Sequence, residues 1–149
     1  MKKNSIIILL VYVNISYTCA QTQTPLEIID SFFKTYQKNE PVKALDDLYG
    51  HAPWLKEKNE NIENLKVKFS ELRNRDGEYY GYELLSEKNV KNTFAVYTYL
   101  VKYENSPLLF TFQFYKPNKD WIVYSFSYDY NFVEDLEKSV KAELYEIKK

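Results

Sequence analysis

The chain has 149 residues, 45% of them hydrophobic and 28% charged, with 20 basic against 21 acidic side chains. That length builds one domain, and three glycines leave no room for a glycine-rich phosphate loop or a flexible linker. A net charge of −1 lacks the clustered basic face that nucleic acid requires.

The first twenty residues read as an export signal. Lys2 and Lys3 open it, an unbroken apolar run extends from Ile6 to Val13, and Thr18-Cys19-Ala20 offers small residues for cleavage after Ala20. The run is too short to span a bilayer, so no transmembrane segment is expected after cleavage. Acylation of Cys19 is the alternative, although Tyr17 fits a lipidation motif badly. Cleavage places residues 21–149 in the periplasm or outside the cell. It also removes the sole cysteine and sole methionine and leaves a net charge of about −3. A chain without cysteine rests on its core alone.

Thr24-Pro25-Leu26-Glu27 combines a hydroxyl N-cap, a first-turn proline and a capping-box glutamate. The helix it starts carries Leu26, Ile29, Phe33 and Tyr36 on one face, with Ile28 and Phe32 beside them, and ends near Asn39. Pro41 opens a second helix with Val42, Leu45, Leu48 and Tyr49 on its buried side, and Gly50 stands where a left-handed cap is wanted. After a corner at His51 to Leu55, a third helical region begins near Pro53. It resumes through Ile62, Leu65, Phe69 and Leu72 and stops at Asp76-Gly77.

Four strands follow between Glu78 and Phe132, separated by turns short enough to demand an antiparallel meander. The first sets Tyr80, Tyr82 and Leu84 on one face. The second is apolar on both, with Phe94, Val96 and Leu100 against Tyr97, Tyr99, Val101 and Tyr103. The third sets Leu108, Phe110, Phe112 and Phe114 against Thr111, Gln113 and Tyr115. In the fourth, Ile122, Tyr124, Phe126, Tyr128, Tyr130 and Phe132 alternate with Ser125, Ser127, Asp129 and Asn131, which predicts one dry and one wet face. A last helix carries Val133, Leu136, Val140, Leu144 and Ile147 as a narrow stripe. Such a stripe either lies across the sheet or an edge, or pairs with a partner.

The fold class is therefore α+β, three N-terminal helices packed on a curved four-stranded antiparallel sheet, plus a C-terminal helix. That order, with Trp121 opening the last strand in Lys119-Asp120-Trp121-Ile122-Val123, resembles the nuclear transport factor 2-like superfamily from Thr24 to Tyr130. The resemblance implies a cone whose sheet wraps the first helices around a cavity. It does not imply a reaction, because members include isomerases, dehydratases and transport factors. The C-terminal helix is an addition to that pattern, and an early hairpin is missing from it.

Candidate lining for such a cavity is Phe33, Trp54, Tyr80, Phe112, Phe126 and Tyr128, a set suited to an apolar or aromatic small molecule. His51, four residues after Asp47, and Asp129 among tyrosines are the candidates for acid/base chemistry of an isomerase or dehydratase. Asp129 has the opposite parity from its tyrosines, and Gly50 separates His51 from the helix face carrying Asp47. No nucleophile elbow, phosphate loop or metal-ligand spacing occurs, so neither cofactor nor metal is expected. A non-catalytic binding module is the first reading. A homodimer joined through the sheet face bearing Tyr97, Tyr99, Tyr103 and Tyr115 is another.

Overall fold

The computed structural model describes residues 23–52, 54 and 60–146, so the leader with Cys19, the corner at Pro53 and Ile147 lie outside the described residues. Three helices precede the sheet: α1 (Pro25–Tyr36), α2 (Pro41–Tyr49) and α3 (Glu60–Asp76). The strands β1 (Tyr79–Val90), β2 (Phe94–Tyr103), β3 (Pro107–Tyr115) and β4 (Ile122–Asp129) then pair in sequence order, and α4 (Phe132–Glu146) closes the chain. Fold class and element order are those expected from the sequence.

Local signals act as read. Thr24 Oγ1 accepts from the Glu27 amide, and Glu27 returns a bond to the Thr24 amide at 2.7 Å, which satisfies two free donors at the start of α1. Pro25 is buried and Leu26 is not, so α1 faces inward through Ile28, Ile29, Phe32, Phe33 and Tyr36. Gly50 is not the left-handed cap. It keeps right-handed geometry, and the chain tightens through His51 N–H to Leu48 O and Ala52 N–H to Tyr49 O, which buries Ala52. Gly77 does take the left-handed conformation, with φ of 82°, and ends α3. Lys66 ties α2 to α3 by reaching Asp46 at 2.7 Å while also pairing with Glu63.

The core lies between α1 and the sheet. Phe32 meets Phe110, Phe112 and Phe126; Phe33 stacks on Tyr82 at 3.6 Å between ring centroids and meets Tyr99 edge-on; Phe69 from α3 closes on Phe110 and Phe126. Offset and edge-to-face pairs of this kind add roughly 0.5–1.5 kcal/mol each beyond area burial.

Register decides which residues join that core. The β2–β3 ladder pairs Tyr97 with Phe112, Tyr99 with Phe110 and Val101 with Leu108, so odd positions of β2 share a face with even positions of β3. Tyr97, Tyr99 and Tyr103 are therefore buried under the helices and form no outer interface. Phe94, Val96, Leu100 and Tyr115 make up the outer face instead. In β4 the expected alternation breaks. Ser125 pairs with Gln113 but Val123 pairs with Phe114, so Tyr124 is an extra residue in a β-bulge. Val123 turns inward, and Tyr124 turns outward to meet Phe94. A second bulge, between Tyr79 and Gly81, ejects Tyr80 from the inner face on which the sequence placed it. Gly81, at φ of 115°, takes a backbone conformation that a side chain would strain.

The bulge in β4 separates two neighbouring positions. Val123→Asp buries an unpaired charge and should cost about 3–5 kcal/mol or abolish folding, whereas Tyr124→Asp should stay within about 1 kcal/mol of the parent. Urea midpoints of the two variants measure the difference. Equal losses would show that no bulge separates their faces.

Candidate functional site

The space between α1 and the sheet, where the cone resemblance implies a cavity, is occupied by rings. Phe33 and Phe112 are fully buried and Phe126 nearly so, and each touches at least one of the others. Tyr128 continues the group by meeting Phe69 edge-on. Trp54 and Tyr80 are not brought to it. Trp54 is 47% exposed beside Tyr124, and Tyr80 is 63% exposed on the bulge in β1. Four of the six candidate residues thus belong to one aromatic cluster, with Phe126 and Tyr128 at its edge, and two lie on the outside.

One end of that core is polar. Tyr36 from α1, Tyr79 from β1 and Tyr103 from β2 converge on a cleft of about 40 Å³ rimmed by Gln37, Asn39, Ser70 and Arg73. The Tyr36 and Tyr103 hydroxyls share a short hydrogen bond. The Tyr79 hydroxyl is buried with no partner among the described residues. A cleft of this size holds at most a few water-sized groups. Burial holds the Tyr36 and Tyr79 phenols well above the usual tyrosine range, raises that of Tyr103 against the lowering effect of its bond to Tyr36, and pushes Tyr99 up to about 12. Raised phenols stay protonated at neutral pH, so they offer donors and no base.

Asp76 is a buried carboxylate at the last residue of α3. It accepts from Ser106 Oγ at 2.7 Å and Tyr130 Oη at 3.2 Å, and pairs with Arg75 at 2.9 Å. Arg75 in turn lies over the Tyr130 ring at 4.1 Å. With its oxygens engaged by three side chains, Asp76 clamps the end of α3 to the β2–β3 turn and to the exit of β4. The acid/base candidates named from the sequence are elsewhere. His51 is half-buried at the end of α2, where burial lowers its pKa and the Asp47 charge offsets part of that shift. Asp129 accepts from the Asn131 amide at 2.7 Å and so shapes the turn into α4. Among the described residues no group of three or more histidine, cysteine, aspartate or glutamate side chains is arranged to hold a metal ion.

The outside is less complete than the inside. Trp54, Tyr115, Pro117, Ile122 and Tyr124 border an open groove of about 380 Å³ at one end of the outer sheet face. A second groove of about 410 Å³ runs between the start of α3 and β4, bordered by Tyr49, Ile62, Leu65, Phe126 and Tyr128 with Ser125 and Ser127. On α4 every side chain from Val133 to Glu143 is exposed. Sequence periodicity did not reveal the Trp54–Tyr124 groove, because the bulge that turns Tyr124 outward leaves no mark in an alternating pattern. Among the described residues no helix is long and apolar enough to cross a membrane.

No protein-family model and no curated protein matches the chain. A solved structure described as a putative calcium/calmodulin-dependent protein kinase type II association domain from Thiobacillus denitrificans is similar over 72% of this chain and 94% of that one. The identity is 9% and the TM-score 0.46, a likeness too loose to carry anything over to this chain.

The tyrosine end fixes how stability responds to alkali. A phenol whose pKa is raised by folding contributes stability that is complete below the unfolded value near 10 and is lost as pH rises toward the folded value. Unfolding free energy should therefore fall above about pH 10, by up to ~1.4 kcal/mol per pH unit for a fully buried tyrosine such as Tyr36. Tyr36→Phe should make that slope shallower by about one proton, read from urea melts between about pH 9 and 11. An unchanged slope would contradict the burial of Tyr36. At neutral pH Tyr103→Phe should cost about 1–3 kcal/mol, because it strands the Tyr36 hydroxyl.

Proposed function

We propose that the chain is a small, exported, non-catalytic module of the cone-shaped nuclear transport factor 2-like type, and that it works by self-association through its outer surfaces. The observation that carries this is a contrast. The interior is filled by interlocking rings of Phe32, Phe33, Phe69, Phe110, Phe112 and Phe126, while apolar groups on the outer sheet face and along α4 are left uncovered. A filled interior offers no room for substrate. Exposed apolar area on a sheet and a helix marks protein contact.

The order of three helices, four-stranded meander and helix supports the cone-fold part of this reading, and the basic, then apolar, then small pattern of residues 1–20 supports export. A second reading is favoured by the Trp54–Tyr124 groove, whose volume and aromatic border suit an apolar small molecule. Trp54 fluorescence would report such a ligand.

Sedimentation of the purified protein should show a reversible assembly larger than the monomer at high micromolar concentration. Polar replacement of apolar residues at these surfaces, half-buried Val96→Lys with exposed Tyr115→Lys on the sheet or exposed Leu136→Lys on α4, should return at least one variant to a folded monomer. A parent protein that stays monomeric over the same range would overturn the reading.

A further inference from the structure

The helix α4 is amphipathic, and among the described residues nothing covers its apolar side. It starts two residues after β4, where the Asn131 carbonyl accepts from the Glu134 amide at 2.9 Å. Val133, Leu136 and Val140 then recur along one stripe, at 39%, 59% and 50% exposure, and the sequence carries the same spacing on to Leu144. A helix of 15 residues stands at the limit of what holds without tertiary packing, so this one needs a cover.

The charges beside the stripe indicate which cover. On one flank the first half of the helix is acidic, with Glu134 and Glu137, and the second half is basic, with Lys141. A flank that changes sign along its length complements itself when reversed. Two α4 helices running antiparallel present this same flank to each other, because in antiparallel pairs like flanks face.

We propose that the apolar stripe of α4 is covered by α4 of a second copy, antiparallel, with the two-fold axis near positions 138 and 139. Leu136 then packs on Val140 of the second copy, Val133 reaches the turn that bears Leu144, and Glu137 meets Lys141 of the second copy. Each contact occurs twice, as a closed two-fold interface requires. Within one helix Lys141 already reaches Glu137 at 3.5 Å, so the pairing shares an existing charge pair across the interface. A parallel arrangement would set this flank against the opposite one and would not join Glu137 to Lys141. A seam this short falls below the roughly 1,200 Å² of a stable interface, so the association is weak and raises the helicity of α4 as it forms. This inference rests on the self-association reading and names the surface that carries it.

The test uses the purified protein and two single-charge variants, Glu137→Lys and Lys141→Glu, in sedimentation equilibrium at low salt. Each variant alone places like charges opposite one another at both contacts, and should dimerise about tenfold more weakly than the parent. An equimolar mixture of the two restores opposite charges at both contacts between unlike chains, and should recover parent-like association. Within each variant helix the pair four residues apart stays repulsive, so recovery can arise only between chains. Unchanged association of the single variants, or a mixture that fails to recover, overturns the helix pairing and leaves self-association through the sheet standing. A parent protein that is monomeric at high micromolar concentration overturns both.

Discussion

The packing of Phe32, Phe33 and Tyr36 against the inner sheet face is the contact on which the rest of the molecule depends. These three residues of a single α1 turn touch β1, β2, β3 and β4 through Tyr82, Tyr99, Phe110, Phe112 and Phe126. Because the meander strands pair only with their sequence neighbours, one helix laid across all four is what gives the sheet a covered face. The chain is stabilised without cysteine cross-links in its domain because this aromatic layer is dense, and close-packed rings tolerate little loss of volume.

Much of this was legible from the residues alone. The capping box at Thr24, the proline starts at Pro25 and Pro41, and the stop at Gly77 are local chemistry, and local chemistry is written in consecutive positions. The alternation in β3 also read correctly. What could not be read was register, because the pairing of β2 with β3 depends on how many residues the turn at Glu104 to Ser106 consumes. That count assigns Tyr97, Tyr99 and Tyr103 to the dry face, where periodicity within β2 left either choice open. The bulges at Tyr80 and Tyr124 are hidden for a related reason. Each adds one residue opposite none, so every position on one side of it changes face while the sequence alternates without a break.

Of the candidate site residues, the register shift in β1 accounts for Tyr80. Phe33 and Phe112 fill the interior, whereas Phe126 and Tyr128 also border the groove between α3 and β4. Composition gives ring count and not the space between rings. Trp54 and Tyr80 fell on the outside, one beyond a corner and the other on a bulge. Polar groups inside the domain are organised for cohesion. Asp76 joins α3, the β2–β3 turn and the end of β4, and the Tyr36–Tyr103 pair joins α1 to β2. Asp76 and the Tyr36–Tyr103 pair have their bonding capacity used by the fold, whereas the Tyr79 hydroxyl beside them has no partner among the described residues.

The space between α1 and the sheet is filled by rings. Xenon enters dry apolar cavities and perturbs the resonances of the side chains around them, so its titration into the protein, followed by aromatic NMR shifts, asks the question directly. The expected result is that Phe33, Phe110 and Phe112 do not respond and that shifts are confined to the open grooves bordered by Trp54 and Tyr124 and by Phe126 and Tyr128. Saturable shifts of Phe33 and Phe112 would reveal an open cavity between α1 and the sheet and contradict the reading that function lies on the outer surfaces.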